Sequence, residues 1–501
     1  MNKTKKLFCG LLAGVLAANG AASLAACGGG NGSVGNIVAY NGSEVTVTFY
    51  HTMGADLKGI LDEYIPVFNE LYPNITIVHD MMGDYPALRD QIATELTANN
   101  SPSLAYCYPD HVALYNKSRK VLPLDDYIAS EDKVTLADGT ETQMGFTQAQ
   151  IDDFIDAYYD EGKAYGDGKM YTLPMVKSTE VLYYNKTYFT ENNLTVPKTW
   201  DEMEQVCATI KSKEGANVIP LGYDSEANWF ITMTEQLGTP YTSSGDDKFL
   251  FNTAENRAFV ERFRSWYKNG YVTTEELSGD YTSSLFTQTD DTKLRCYMCI
   301  GSSAGARYQC PEMETQYDEN GDEIIDENTG APVMDYPFEV GVAMIPQSTT
   351  EQANDMTKAK VIQQGPSLCL FKKADSQEMA AAWLFAKFLT TNVSFQAKFS
   401  MKNGYTSVIE SVRQDEDYAD TLAAADGNEN LQATCVLQTL AQMDAYYVSP
   451  AFNGSSAARN EVGRLLQACF SEDPSGNQSV ADFIAAQFKK TIDTLEFDYG
   501  F

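Results

Sequence analysis

The chain has 501 residues, with 36 Lys and Arg against 69 Asp and Glu, and a formal net charge of −33. Such an acidic chain repels a phosphate backbone, which excludes nucleic acid as a partner. The length exceeds what one hydrophobic core usually organises, so we expect two or three domains.

Residues 1–26 have the composition of a signal peptide. Lysines near the start precede an apolar run from Leu7 to Leu24, and small residues lead up to Cys27. The motif Leu24-Ala-Ala-Cys27 resembles a bacterial lipobox, which predicts cleavage before Cys27 and lipidation of its thiol. The alternatives are a plain signal peptide with a chance cysteine, or an N-terminal transmembrane helix. Lipidation predicts a protein anchored to the outer face of the cell membrane.

Residues 27–43 are mostly Gly, Asn, Ser and Val, which predicts a flexible, lipid-anchored tether. No later segment is apolar enough to span a bilayer. Most of the cysteines after Cys27 lie in apolar runs, and we expect buried thiols rather than metal ligands or a redox pair.

Strands and helices alternate from residue 45 onwards. Residues 45–49, 75–78 and 104–108 have strand patterns, and apolar residues recur at helical spacing between them. This order predicts a parallel, doubly wound α/β lobe. Ligands bind beyond the carboxyl ends of strands in such sheets, which indicates residues 51–54, Tyr85 and residues 108–110.

Residues 168–186 form the most distinctive segment of the chain. Met170–Leu173 reads as a short strand that Pro174 ends, and Val181–Tyr184 as a second, aromatic strand. By itself this pattern is an ordinary hairpin. Together with Pro197–Glu202, however, the segment G-K-M-Y-T-L-P…L-Y-Y-N-K resembles family 1 extracellular solute-binding proteins of ABC importers. In that family it runs from one lobe into the other across the base of a ligand cleft.

Three further segments resemble the glycerol-3-phosphate and maltodextrin-binding branch of that family: Phe49–Met53, Gly83–Tyr85 and Ser101–Tyr108. The resemblance implies an α/β, periplasmic-binding-protein-like fold with two doubly wound lobes joined by crossover hinge strands. It also implies a monomeric lipoprotein receptor that captures a sugar or oligosaccharide between the lobes. The loaded receptor would deliver this ligand to an ABC permease in the membrane.

The same resemblance sets the expected domain boundaries. We expect lobe 1 to comprise residues 44–180 and 301–371, and lobe 2 to comprise residues 181–300 and 372–501. Residues 310–337 form an acidic insertion, which we expect to be a solvated hairpin. It carries Glu323 where a calcium loop of the EF-hand type requires Gly, so calcium is not expected there.

Aromatic faces stack on sugar C–H surfaces, while hydroxyls, amides and carboxylates bond sugar hydroxyls. On this basis and on the resemblance, the candidate ligand-binding residues are Tyr85, Tyr108, Asp110, Ser178, Glu180, Trp229, Ser303, Gly365, Tyr405 and Phe452.

The resemblance supports these candidates unequally. Tyr85, Ser178 and Tyr405 fall on ligand-contacting positions of the branch. The ligand-contacting Glu of the branch falls on Pro109, so Asp110 either substitutes for it or caps the following helix. Trp229, expected on a loop, either stacks on the ligand or packs in the core.

The ligand class rests on one further comparison with the branch. Members that bind glycerol phosphate carry an Arg just before a C-terminal helix, and that position falls on Ala451 here. A phosphate dianion needs charge-assisted donors, so the loss of this Arg favours a neutral saccharide. A glycerol-phosphate-type ligand is the alternative, and a different register would introduce Arg413 or Arg459.

An enzyme is the competing class of function. A secreted carbohydrate-active enzyme would use two carboxylates, but no pair can be placed on facing strands, and no zinc helix motif or P-loop is present. His51, His79 and His111 are far apart in the sequence and are expected to be structural or solvated. We therefore expect no catalytic residue, metal or cofactor.

Overall fold

The computed structural model describes residues 37–499. The predicted signal peptide, the lipidation site Cys27 and most of the predicted tether lie outside these residues. Within the described part of the chain, no helix combines the length and the apolar character needed to cross a membrane.

Sixteen strands are present in the described residues, numbered here in chain order. They are β1 Val45–His51, β2 Ile75–Met81, β3 Leu104–Cys107, β4 Lys133–Thr135, β5 Glu141–Gln143, β6 Thr172–Pro174, β7 Ser178–Asn185, β8 Leu221–Tyr223, β9 Val272–Thr274, β10 Met298–Ser302, β11 Glu314–Thr315, β12 Met334–Asp335, β13 Val340–Met344, β14 Val361–Gln364, β15 Ser367–Leu370 and β16 Tyr446–Tyr447.

Nineteen α-helices accompany them in the same part of the chain. They are α1 Ala55–Leu71, α2 Tyr85–Ala98, α3 Pro109–Tyr115, α4 Asp125–Ile128, α5 Gln148–Asp153, α6 Asp156–Asp160, α7 Lys186–Glu191, α8 Trp200–Glu214, α9 Glu226–Leu237, α10 Ala254–Lys268, α11 Glu275–Ser278, α12 Thr282–Phe286, α13 Thr350–Asn354, α14 Ser376–Thr391, α15 Val393–Met401, α16 Glu416–Ala423, α17 Leu431–Ala441, α18 Ser455–Ser471 and α19 Val480–Tyr499.

The first lobe is built on a five-stranded sheet of order β2-β1-β3-β15-β6. β1 pairs in parallel with β2 and β3, and β15 pairs antiparallel with β3 and β6. Helix α1 forms here because its apolar residues recur on one face, and that face is buried against the sheet. The strand–helix–strand prediction for residues 45–108 is thus confirmed.

The second lobe is built on a sheet of order β16-β14-β7-β10-β8-β9, with β13 also paired to β7. β7 is the central strand, and it pairs antiparallel with β10, β13 and β14. The predicted capping box is present at the start of α8, where Thr199 and Glu202 satisfy each other's backbone N–H groups. A separate hydrophobic core surrounds this sheet.

Two chain segments connect the two sheets side by side. One joins β6 to β7 through residues 175–177, and the other joins β14 to β15 through Gly365 and Pro366. Gly365 has φ +94°, and a Cβ there would lie 2.5 Å from the Val176 carbonyl oxygen and 2.7 Å from Lys177 Cα. Only glycine permits this close approach without displacement of the neighbouring segment.

The cores differ from the expected domain boundaries in both directions. Helices α14 and α15, expected in lobe 2, pack in the hydrophobic core of the first lobe, as do Val408, Ile409, Val412, Tyr418 and Val436. Strands β13 and β14, expected in lobe 1, belong to the second sheet. The long apolar stripe of α14 fits either core, so its sequence pattern could not decide between them.

The hairpin predicted for residues 310–337 and the predicted buried thiols are both present in the described residues. Strands β11 and β12 pair antiparallel in the insertion, and its acidic residues are exposed apart from the half-buried Asp326. The eight cysteines of the described residues carry free thiols; seven are buried, and Cys310 is half-buried.

Candidate functional site

A cavity of about 180 Å³ lies between the two lobes, large enough for several water molecules or one small ligand. Its walls come from the first lobe (Tyr85, Pro86, Arg89, residues 108–111 and Glu161), from the region of strand β14 (residues 362–364) and from the second lobe (Ile231, Tyr241, Thr242, residues 448–450, Ser455, Ser456, Arg459 and Asn460). Side chains of both lobes, and of the strand β14 that leads into one connecting segment, therefore face the same cavity.

A tyrosine pair forms the aromatic part of the wall. Tyr85 is the first residue of α2 and Tyr108 is the N-cap of α3, and their ring centroids are 4.4 Å apart with planes tilted by 38°. Burial raises the pKa of Tyr108 to about 12, so its hydroxyl stays protonated at neutral pH. The pair offers an aromatic face together with hydroxyl groups.

Two arginines line the cavity, one from each lobe. Arg89 Nη1 donates to Ser456 Oγ at 3.1 Å across the lobes, and Arg89 Nε donates to Asp90 at 2.7 Å. Arg459 donates to the Oδ1 of Asn228, a neutral amide. Among the described residues no carboxylate lies within ion-pair distance of Arg459, in contrast to Arg89.

Several buried polar atoms in the cavity wall lack a hydrogen-bond partner within the described residues. They are His111 Nδ1, Tyr241 OH, Thr242 Oγ1, Gln364 Oε1 and Ser449 Oγ. Buried polar atoms are nearly always bonded, and leaving one unpaired costs roughly 1–3 kcal/mol. These atoms are therefore suited to a ligand with several hydroxyl or other polar groups.

A buried ion pair lies next to the cavity at the connecting segments. Glu161, which lines the cavity, accepts from Lys177 Nζ, from Ser367 Oγ at 2.9 Å and from Gln363 Nε2 at 3.2 Å. Lys177 Nζ also donates to the carbonyl of Gly365 at 3.4 Å. The pair ties a helical turn of the first lobe to both segments that connect the lobes.

Of the residues predicted from sequence, Tyr85, Tyr108 and Asp110 lie in the cavity wall. Gly365 lies beside it, next to the lining residue Gln364, and its role is the tight turn described above. Tyr405 is half-buried, and burial together with Tyr108 raises its pKa. It packs against the first core rather than in the cavity wall.

Four predicted residues are buried away from the cavity wall. Ser178 and Glu180 lie on β7, and Ser303 Oγ accepts from the backbone N–H of Thr179 at 3.3 Å. Phe452 packs in the second core, 6.0 Å from Phe249 between ring centroids. These side chains hold the strands and turns behind the cavity.

Trp229 is a core residue, and the prediction that it lies on a loop is wrong. It is the fourth residue of α9, and its side chain is 0% exposed. It packs on Tyr223, Phe263 and Phe470. The short polar stretch before it resembled a loop in the sequence, but Ser225 caps the helix there.

Sequence reasoning missed Arg89, Glu161 and Tyr241, and named Arg459 only as an alternative. One usable signal was helical spacing: Arg89 follows Tyr85 by four residues on α2, and Arg459 follows Ser456 by three on α18. Nothing local distinguishes Glu161 or Tyr241 from ordinary core or surface residues. Their position depends on how the lobes pack.

No group of three or more His, Cys, Asp or Glu side chains within residues 37–499 is arranged to hold a metal ion. His51 and His79 do lie together, with 2.9 Å between Nε2 and Nδ1, and His79 bonds Asp62 through its other nitrogen at 2.8 Å. These contacts already use the ring nitrogens that a metal would need.

The model of the family described as bacterial extracellular solute-binding protein matches residues 63–426. The sn-glycerol-3-phosphate-binding periplasmic protein UgpB of Escherichia coli K12 is 24% identical over 379 residues, which cover 72% of this chain and 74% of that protein. Two solved structures have the same fold. The cyclic alpha-maltosyl-1,6-maltose binding protein of Arthrobacter globiformis has a TM-score of 0.62 at 16% identity, with 90% of this chain and 99% of that chain covered. UgpB of Mycobacterium tuberculosis in complex with glycerophosphocholine has a TM-score of 0.65 at 14% identity, with 91% and 99% covered.

Proposed function

Since the chain belongs to the bacterial extracellular solute-binding protein family, we propose that it captures a sugar or short oligosaccharide in the cavity between its lobes. The loaded receptor then delivers this ligand to an ABC import permease. The protein acts by binding rather than by catalysis, as its relatives do.

One observation carries the proposal: the cavity combines a tyrosine pair with several buried, unpartnered polar atoms from both lobes. A sugar ring presents C–H faces to the aromatic rings and hydroxyls to the polar atoms. Because both lobes supply these atoms, the ligand makes its full set of contacts only when the lobes are closed. The ligand therefore stabilises the closed form.

A phosphate ester of a polyol is the second candidate, and Arg459 favours it. The Arg position expected from the related branch is filled by Ala451, which is buried, but Arg89 and Arg459 both line the cavity. The missing arginine at residue 451 therefore does not by itself argue against an anion. Within residues 37–499, the Arg459 guanidinium has a neutral amide as its hydrogen-bond partner, and such a guanidinium is suited to a phosphate or carboxylate group.

The test is a thermal-shift screen followed by calorimetry, on protein lacking residues 1–36. The panel contains maltose, maltotriose, sn-glycerol-3-phosphate and glycerophosphocholine. Specific binding raises the melting temperature by mass action. We expect one chemical class to bind, with Tyr108→Ala weakening binding of either class.

Variants on helix α18 separate the two candidates. Arg459→Gln should lower the affinity for a phosphate ester far more than the affinity for a neutral sugar, since it removes a charge-assisted donor. Arg464→Ala is the matched control, because Arg464 lies on the same helix with its side chain 70% exposed. Failure of the whole panel to bind would overturn the proposed ligand classes.

We also propose that Cys27 is the lipidated N-terminus of the exported protein and that the receptor is a monomer. We propose that the chain first passes between the lobes at residues 180 and 181, that β13 and β14 belong to the second lobe, and that α14 and α15 belong to the first. The lipobox sequence supports the anchor.

A further inference from the structure

A chain of hydrogen bonds runs from the central strand of the second lobe to the cavity. Glu180 Oε1 accepts from Asn228 Nδ2 at 2.7 Å, and Asn228 Oδ1 accepts from the Arg459 guanidinium. Arginine only donates, so Asn228 must turn its oxygen to Arg459 and its NH₂ to Glu180. The orientation of the amide is therefore determined at both ends.

The middle of this chain is held firmly. Asn228 lies in the first turn of α9, where its backbone N–H donates to Ser225 Oγ at 3.2 Å. Glu180 Oε2 accepts from Tyr223 OH at 2.7 Å, and Gln442 Nε2 donates to the Glu180 carbonyl at 3.2 Å. Glu180 is 1% exposed and Asn228 4% exposed, so neither side chain can reorient into solvent.

Charged and titratable groups approach Glu180 from three elements. Arg459 lies on α18, Tyr223 and Asp224 lie at the end of β8, and Tyr447 lies on β16. Burial raises the pKa of Glu180 to about 7, against the hydrogen bonds of Tyr223 and Asn228 and the charge of Arg459, which lower it. The carboxyl thus changes charge near neutral pH while Arg459 stays positive.

We infer that Glu180 and Asn228 are positioning residues for ligand capture, which orient the Arg459 guanidinium and set the net charge that it presents to the cavity. This inference rests on the proposed function. Ionised Glu180 offsets part of the Arg459 charge, and neutral Glu180 leaves it in full. Both forms can keep the bonds to Asn228 and Tyr223, because the protonated oxygen can donate to the tyrosine.

The test measures affinity by calorimetry at about pH 5.5 and about pH 8, on either side of the Glu180 transition. The probes are glycerophosphocholine, whose phosphodiester does not titrate in this range, and maltose, which is neutral. The variants are Glu180→Gln, which removes the charge and keeps the shape, and Asn228→Ala, which releases Arg459. Glu226→Gln is the matched control, since Glu226 is a buried carboxyl on α9 bonded to Thr274.

Asn228→Ala should lower the affinity for whichever probe binds by about tenfold, which is the usual effect of losing a hydrogen bond to a charged group. If glycerophosphocholine binds, the wild-type protein should bind it more tightly at the lower pH, and Glu180→Gln should remove this difference. If maltose binds, affinity should be independent of pH and still fall in Asn228→Ala. Glu226→Gln should match the wild type throughout.

If Asn228→Ala binds its probe with the same affinity as the wild type, the positioning role is overturned. For glycerophosphocholine, an unchanged pH dependence in Glu180→Gln overturns the charge coupling. In both cases the wild type still binds its probe, so the proposed function survives. If the wild type binds neither probe, the inference falls together with the proposed ligand classes.

Discussion

Trp229 stacks on Tyr223 with ring centroids 4.8 Å apart and ring planes 12° apart. Tyr223 in turn donates to Glu180. Trp229, for which the sequence left ligand stacking and core packing both open, thus supports the residues behind the cavity, and its removal should affect folding first.

Trp229→Ala should lower the free energy of unfolding by about 3–5 kcal/mol, because it leaves a large cavity in the second core. Denaturant unfolding without ligand measures this loss. Phe497→Ala is the control, since Phe497 is 87% exposed and should change little. If Trp229→Ala instead binds ligand more weakly with unchanged stability, Trp229 contacts the ligand directly.

Lys177→Met should be strongly destabilising, since it leaves the Glu161 carboxylate buried without its cation. Removing one partner of a buried ion pair costs about 3–5 kcal/mol. Adding Glu161→Gln should recover part of this loss, which a double-mutant cycle by denaturant unfolding will detect. Lys489→Met, in the exposed pair with Asp493, is the control. Equal stability of Lys177→Met and wild type would show that the pair is not coupled.

Glu180 should make stability depend on pH in a defined direction. Burial raises its pKa from 4.5 to about 7, so the folded protein keeps a proton that the unfolded chain has released. The contribution of this group to the free energy of unfolding therefore decreases as pH rises from about 4.5 to about 7. Above about pH 7 the contribution no longer changes.

The difference between wild type and Glu180→Gln isolates this effect in urea unfolding across the same pH range. The wild-type curve alone is not diagnostic, because burial lowers the pKa of His51 to about 4 and so acts in the opposite direction. Parallel curves for the two proteins would contradict a raised Glu180 pKa.

Cys27→Ser should release the exported protein from the membrane, since the lipobox cysteine is the proposed site of acylation. Fractionation after a carbonate wash measures the distribution. Cys310→Ser should remain in the membrane fraction, as Cys310 is a half-buried thiol of the folded body. A Cys27→Ser protein that stays in the membrane fraction would rule out the lipid anchor.

The sequence by itself determined several elements: the strands and helices of residues 45–108 and the capping box at Thr199 and Glu202 are encoded in short patterns. The segment at residues 168–186 was identified as a connection between lobes only through its family resemblance. Tyr85, Tyr108 and Asp110 could be found because parallel sheets place ligands at strand ends. Each of these inferences depends on neighbours close in the chain.

Only the tertiary structure decided which side chains face the cavity. Arg89 meets Ser456 from 367 positions away, and Arg459 meets Asn228 from 231 away. His51 and His79, apparently scattered, are joined by the register of β1 and β2. Apolar periodicity shows that Trp229 or α14 has a buried face, but not which core receives it. That choice depends on packing between segments far apart in sequence, which no local pattern records.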